Sequence, residues 1–73
     1  MNISKEPYHR VLVPDAERGY TGLILEFPGC LTQGETLGET YNNLEDAAQC
    51  WIAAAKDLGQ TIPLPLKSIW KKE

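Results

Sequence analysis

A proline–glycine corner followed closely by a long amphipathic segment constrains the fold of this chain more than any other feature. Residues 26–36 read Glu-Phe-Pro-Gly-Cys-Leu-Thr-Gln-Gly-Glu-Thr. Pro28 fixes its φ at about −65° and Gly29 accepts a positive φ, so the pair fits the two central positions of a type II turn. The apolar stretch before the corner is therefore predicted to be a strand that ends at the corner. Residues 30–34 are predicted to form a short third strand.

The segment after the corner has the periodicity of one long helix, residues 37–58. Apolar residues recur at alternating steps of four and three, which predicts a helix of about six turns. They are Leu37, Tyr41, Leu44, Ala48, Trp51, Ala55 and Leu58. Thr36 and Glu39 form a capping-box pattern, and Gly59 stands where a left-handed C-cap is expected. We expect Trp51 to be the main core anchor, and Asn43 to bind the backbone of the preceding loop with its amide.

Two more strands are predicted before the corner, at residues 8–13 and 20–26, with turn-forming residues between them. The second has apolar members on both faces, which favours a central position in the sheet. Residues 61–66 carry alternate prolines and are predicted as a further strand at a sheet edge. A short final turn at 67–72 is left open, with Trp70 packing either in cis or on another chain. The predicted class is α+β in the order β-β-β-α-β, with an antiparallel three-stranded sheet and one long helix.

The length of 73 residues predicts one small domain with a marginal core. No secretory leader is recognised, and no apolar run approaches the roughly 20 residues of a membrane span, so a cytoplasmic location is expected. Cys30 and Cys50 are then expected to be thiols, the first buried beneath the corner and the second half-buried. With no disulfide or metal to add stability, we expect homo-oligomerisation to add buried area.

Charge is unevenly distributed along the chain. Residues 1–66 carry four basic and nine acidic side chains, a balance of −5, whereas residues 67–73 have a balance of +2. An acidic body repels a nucleic-acid backbone and attracts a basic partner. The composition therefore favours a protein-binding role over nucleic-acid binding.

No catalytic or metal-binding constellation is recognised in the sequence. His9 is the single histidine and has no partner at ligand spacing. Glu26 on a strand and Asp46 on the helix could be proposed as ligands of a two-metal nuclease, which needs several carboxylates to converge. The neighbouring Glu45 cannot join them, because adjacent residues on a helix diverge by about 100°. We expect no enzyme activity, no cofactor and no metal, and a metal-dependent nuclease is the outlying alternative.

The combined spacing resembles the HicB-like antitoxin family over about residues 8–66. The motif residues that carry the resemblance are Pro28, Gly29, Cys30, Thr32, Gly34, Thr36, Asn43 and Trp51. It implies a partial ribonuclease-H-like fold and a role in a toxin–antitoxin system, binding and occluding a small basic HicA-type toxin that cleaves RNA. Many members carry a C-terminal DNA-binding domain. This sequence stops at Glu73, so residues 1–73 are expected to be a single HicB-like domain without direct DNA binding.

The resemblance directs attention to the acidic side chains that would contact a basic toxin. The candidates are Asp15, Glu17 and Glu26, with Tyr20 as an aromatic anchor, because opposite charge steers association and aromatic residues often anchor interfaces. The alternative is a stand-alone homo-oligomeric domain, structural or ligand-binding, without a toxin partner.

Overall fold

A three-stranded antiparallel sheet followed by one helix makes up the fold in the computed structural model, which describes residues 8–66. The strands are β1 (Arg10–Pro14), β2 (Tyr20–Ile24) and β3 (Leu31–Gly34), in the spatial order β1-β2-β3, and the helix is α1 (Leu37–Asp57). The predicted α+β class and the central position of β2 are confirmed.

The further strand predicted over residues 61–66 is not found, because this segment joins no sheet. Pro63 and Pro65 have no N–H to contribute to a ladder. Other bonds hold the segment instead: the Tyr8 hydroxyl donates to the Pro63 carbonyl oxygen at 2.7 Å, and the Leu66 N–H donates to Glu26 at 2.8 Å. The turn predicted over 67–72, with Trp70, lies outside the described residues.

The turn and both helix ends follow the sequence rules closely. The Cys30 N–H donates to the Phe27 carbonyl oxygen at 3.0 Å and Gly29 has a φ of +81°, as a type II turn requires. Thr36 caps α1 by accepting from the Glu39 N–H at 3.0 Å. Gly59, with a φ of +74°, follows the C-cap. One detail of the predicted capping box is wrong, since the Glu39 carboxylate accepts from the N–H of Glu35 and not from that of Thr36.

Close contact between the start of α1 and the sheet positions the two layers. A Cβ added at Gly22 would lie 3.2 Å from Thr40 Cγ2, and one at Gly34 only 2.5 Å from Thr40 Oγ1. Thr40 is fully buried and its hydroxyl donates to the Thr36 carbonyl oxygen at 2.7 Å, so the polar group is satisfied inside the helix. Glycines on β2 and β3 therefore let the first turns of α1 approach the sheet backbone.

The buried face of α1 is rotated from the predicted stripe. The buried residues are Thr40, Leu44, Ala48, Ile52 and Ala55. Leu37 and Leu58, the predicted ends of the stripe, are 53% and 72% exposed. Trp51 is half-buried and is not the main anchor that the sequence predicts, because Phe27, Ile24 and Leu44 fill the centre of the core.

A partly buried ion pair ties β1 to the helix. Arg10 Nε donates to Glu45 Oε2 at 2.6 Å, and Arg10 Nη1 donates to the Tyr8 carbonyl oxygen at 2.8 Å. The hydrogen bond with Glu45 raises the pKa of Arg10 further above its ordinary value. The sequence predicts neither residue in this role, because they lie 35 positions apart in the chain.

Glu26 is buried, which removes it from the exposed contacts that the sequence predicts. The residue is 7% exposed. Its carboxylate accepts from the His9 backbone N–H at 3.0 Å and the Leu66 N–H at 2.8 Å, and one oxygen lies 2.8 Å from His9 Nδ1. β2 ends at Ile24, so Glu26 lies in the following turn, where its carboxylate links the segment before β1 to the segment after α1.

The hydrogen bonds decide the ionisation of this buried carboxyl group. Burial alone would raise the pKa of Glu26, but the bonds from the His9 ring and from the Leu66 and His9 backbone N–H groups lower it below its ordinary value. The ionised form is therefore the one that the fold stabilises.

We expect Gly34→Ala and Gly38→Ala to change stability in opposite directions. A Cβ at Gly34 would lie 2.8 Å from the Thr40 backbone nitrogen, so the alanine must displace the helix, at a cost of about 1–3 kcal/mol. A Cβ at Gly38 meets nothing within 4 Å, and an alanine there should gain up to about 1 kcal/mol of helix propensity. Urea unfolding of both variants measures the difference. A shift in the same direction for both would contradict the close contact.

We expect Glu26→Gln to lower the free energy of unfolding by about 1–3 kcal/mol at pH 7, because charge-assisted bonds are lost from a buried site. The folded pKa of Glu26 lies below its unfolded value, so its contribution is present above the unfolded pKa and is lost as the pH falls through the folded pKa. Urea unfolding at pH 7 and at pH 3 should therefore show a smaller difference between the two proteins at the lower pH.

The matched control for this carboxylate is Glu17→Gln, which changes an exposed residue. It should leave the free energy of unfolding within about 0.5 kcal/mol of the wild type at both pH values. An equal loss of stability in the two variants, or a Glu26 effect that does not depend on pH, would contradict the role assigned to Glu26.

Candidate functional site

An acidic cleft lies where the loop between β1 and β2 meets the start of α1. It has a volume of about 440 Å³ and is open to solvent. Its lining residues, which define the acidic cleft from here on, are Asp15, Glu17, Arg18, Tyr20, Gln33, Gly34, Glu35 and Glu39.

The β1–β2 loop forms one wall of the acidic cleft and is closed by its own backbone. The Asp15 N–H donates to the Gly19 carbonyl oxygen at 2.9 Å, and the Glu17 N–H donates to Asp15 Oδ1 at 2.9 Å. Gly19 has a φ of +78°, and a Cβ there would lie 2.5 Å from the Gly34 carbonyl oxygen. The glycine thus allows the loop to turn and to lie directly against the end of β3.

The pairing of β2 with β3 brings the second wall into place. Tyr20, the first residue of β2, is opposite Gly34, the last residue of β3. The chain enters α1 immediately afterwards, so Glu35 and Glu39 lie beside the β1–β2 loop. Arg18 reaches across and donates from Nε and Nη2 to Glu35 Oε1, at 3.1 and 2.9 Å.

Four carboxylates and one guanidinium line the acidic cleft, so its balance of charge is −3. The Arg18–Glu35 pair has side chains that are 78% and 62% exposed, and such surface pairs contribute little to stability. The arrangement suits the binding of several lysine or arginine side chains. Among residues 8–66, no group of three or more His, Cys, Asp or Glu is arranged to hold a metal ion.

The proline–glycine corner has a structural role against α1. Trp51 stacks on Phe27 with ring centroids 4.4 Å apart and an interplanar angle of 3°, and its Nε1 donates to the Pro28 carbonyl oxygen at 2.9 Å. Cys30 is buried beneath the corner, as predicted, and burial raises the pKa of its thiol. A raised pKa keeps the thiol protonated, which makes it a poor nucleophile. Cys50 is exposed, although the sequence predicts a half-buried residue.

The structure brings together three of the four predicted contact residues, since Asp15, Glu17 and Tyr20 all line the acidic cleft. Glu26 lies beyond the opposite end of β2 and is buried. Thr32 lies on β3 beside Gly22, where its Cγ2 would be 3.6 Å from an added Cβ.

The motif residues around α1 stabilise its entry from β3. Thr36 caps the helix, and Asn43 Nδ2 donates to the Gln33 carbonyl oxygen at 2.9 Å, which confirms the predicted bond to the preceding loop. These contacts fix the direction in which the chain leaves the sheet. They therefore also fix the positions of Glu35 and Glu39, which follow Gly34 and form the second wall of the acidic cleft.

Arg18, Glu35 and Glu39 are the charged residues of the acidic cleft that the sequence does not predict as contacts, and Gln33 is a further lining residue that it does not predict. The signal that could have found them is the register of the β2–β3 hairpin. Once Tyr20 is placed opposite Gly34, the residues before Tyr20 and those after Gly34 must lie side by side. The alternation of residues along the two strands predicts that both strands form, but it does not predict which residue of β2 pairs with which residue of β3.

Comparison with known proteins identifies the family to which the sequence is similar. The profile described as HicB-like antitoxin of bacterial toxin-antitoxin system matches residues 8–72. The chain is 39% identical over 56 residues to the UPF0150 protein ssl0259 of Synechocystis, covering 77% of each chain. It is 30% identical over 56 residues to the UPF0150 protein Ta0767 of Thermoplasma acidophilum, covering 77% of this chain and 81% of the relative.

Within the described residues, α1 is the single helix, and it is not apolar enough to cross a membrane. The profile covers nearly the whole chain, including the corner, the helix and the segment after it. This protein belongs to the HicB-like antitoxin family of bacterial toxin–antitoxin systems.

Proposed function

We propose that this protein neutralises a small basic HicA-type toxin that cleaves RNA, and that it binds the toxin through the acidic cleft. Membership of the antitoxin family supports the toxin–antitoxin role. The observation that carries the assignment to this surface is the convergence of four carboxylates from two separate segments, residues 15–17 and 35–39, on one cleft.

Charge complementarity gives this proposal its physical basis. A protein that binds RNA presents lysine and arginine side chains to the phosphate backbone. Carboxylates at fixed positions can pair with those side chains and occupy the surface that RNA would otherwise use. Opposite charges also steer the two proteins together and accelerate association, an effect that salt weakens.

The free hydrogen-bonding capacity of the acidic cleft suits this role. Arg18 donates both of its bonds to Glu35 Oε1, which leaves Glu35 Oε2 to accept from a partner. Glu17 lines the acidic cleft and is exposed. Tyr20, half-buried at the start of β2, offers an aromatic surface between the two walls. Partly buried aromatic residues surrounded by polar groups are common anchors of interfaces.

The proposed location is the cytoplasm, where a toxin that cleaves RNA would act. Cys30 and Cys50 are both free thiols, which is compatible with a reducing compartment.

The proposal predicts that the tagged protein captures a small basic protein from its native lysate, identified by mass spectrometry. The double variant Glu17→Lys/Glu35→Lys should lose at least about 90% of this capture, because repulsion replaces attraction in the acidic cleft. The purified partner should cleave RNA, and the wild-type protein should inhibit that cleavage.

The matched control is Asp46→Lys/Asp57→Lys, which changes the net charge by the same amount at two exposed positions of α1 outside the acidic cleft. It should capture the partner nearly as well as the wild type. Equal loss of capture in both double variants would show that net charge, and not the acidic cleft, governs binding. Capture of no basic protein at all would refute the proposed function.

A further inference from the structure

Residues 60–66, which we call the proline strap, follow α1 and lie against the core without joining the sheet. The strap begins at a glycine turn. Gly59 has a φ of +74°, and the Gln60 N–H donates to the Ala55 carbonyl oxygen at 2.8 Å. A Cβ added at Gly59 meets no described atom within 4 Å. The turn therefore has free space around it, as a hinge requires.

Few contacts hold the proline strap within the part of the chain that the structure describes. Ile62 packs half-buried against the core, and the Pro63 carbonyl oxygen accepts from the Tyr8 hydroxyl at 2.7 Å. The Leu66 N–H donates to Glu26 Oε2 at 2.8 Å. None of residues 60–66 is fully buried. A segment with so little buried area and so few hydrogen bonds opens at a lower free energy than the whole fold.

Glu26 keeps other partners when the proline strap leaves. Its Oε1 accepts from the His9 backbone N–H at 3.0 Å, and its Oε2 lies 2.8 Å from His9 Nδ1. These contacts belong to the segment before β1 and do not involve the strap. Release of the Leu66 N–H therefore leaves the buried carboxylate hydrogen-bonded to His9, which lowers the cost of opening.

We propose that the proline strap is a conformational device with a closed and an open state, and that the Glu26 carboxylate is the latch that holds it closed. In the open state the Leu66 N–H and the Pro63 carbonyl oxygen bond to water, while the sheet and α1 stay folded. Ile62 leaves the core and exposes the apolar surface that it covers in the closed state. This inference does not rest on toxin binding, because the strap shares no residue with the acidic cleft.

Native-state hydrogen exchange of the full chain, followed by NMR at neutral pH and at several low urea concentrations, tests whether the proline strap opens separately. The Leu66 amide reports the strap, and the amide of Leu44, a fully buried residue of α1, reports the fold. Leu66 should be protected from exchange, yet exchange at least about tenfold faster than Leu44. Its rate should change little with urea, because opening the strap exposes little surface, whereas the Leu44 rate should rise steeply.

Two variants test the latch from its two sides. Glu26→Gln should lower the protection of the Leu66 amide by about tenfold or more, because a charged acceptor is replaced by a neutral amide. Leu66→Pro removes the donor and leaves Glu26 in place. In that variant the Ile62 methyl shifts report the strap, and they should move towards their values in the unfolded chain.

Each variant has a matched control. Glu17→Gln neutralises an exposed carboxylate and should leave the Leu66 amide as protected as in the wild type. Leu64→Pro introduces the same residue at a position that is 82% exposed, and it should leave the Ile62 methyl shifts close to those of the wild type.

Equal protection and equal urea dependence of the Leu66 and Leu44 amides would overturn the proposal, because the proline strap would then open only when the whole chain unfolds. An unprotected Leu66 amide in the wild type would overturn it as well. Equal loss of protection in Glu26→Gln and Glu17→Gln, or Ile62 methyl shifts unchanged by Leu66→Pro, would show that Glu26 is not the latch. Leu66→Pro decides this point if Glu26→Gln does not fold.

Discussion

The contact between Thr40 and the two sheet glycines is the constraint on which the rest of the structure depends. Gly22 and Gly34 have no side chains to hold the helix away, so the first turns of α1 lie directly on β2 and β3. Thr40 fills that space with its methyl group and returns its hydroxyl to the helix backbone. Because α1 begins so close to the end of β3, Glu35 and Glu39 lie beside the β1–β2 loop. The acidic cleft is thus a consequence of backbone packing.

Local chemistry made much of this fold predictable. The type II corner at Pro28–Gly29, the Thr36 cap, the left-handed Gly59 and the bond from Asn43 to the preceding loop depend on residues near one another in sequence, and all are found. Apart from the bond of the Glu39 carboxylate at the start of α1, the errors concern distant partners. The sequence does not determine which side of α1 faces the sheet to better than about a quarter turn, because Trp51 and Ile52 are adjacent and both are apolar. In the structure Ile52 is buried. Trp51 is half-buried at the edge of the core, where its ring stacks on that of Phe27.

Glu26 shows why charge alone misidentifies contact residues. Its type suggested a solvated carboxylate, yet the residue is buried in the turn that follows β2. Its partners, His9 and Leu66, are 17 and 40 positions away, so no local pattern reveals them. The surface carboxylates divide differently. Those of the acidic cleft lie at the end of the sheet near Tyr20.

The most direct test of the acidic cleft is an amide chemical-shift map of the isotopically labelled protein as the captured basic protein is added. The largest changes should fall in residues 15–20 and 33–39, which come from both walls of the acidic cleft, and they should weaken as salt is raised. Changes confined to Val11, Leu23 and Leu31, or to the corner at Pro28, would place the partner on another surface. That result would contradict the assignment of toxin binding to the acidic cleft.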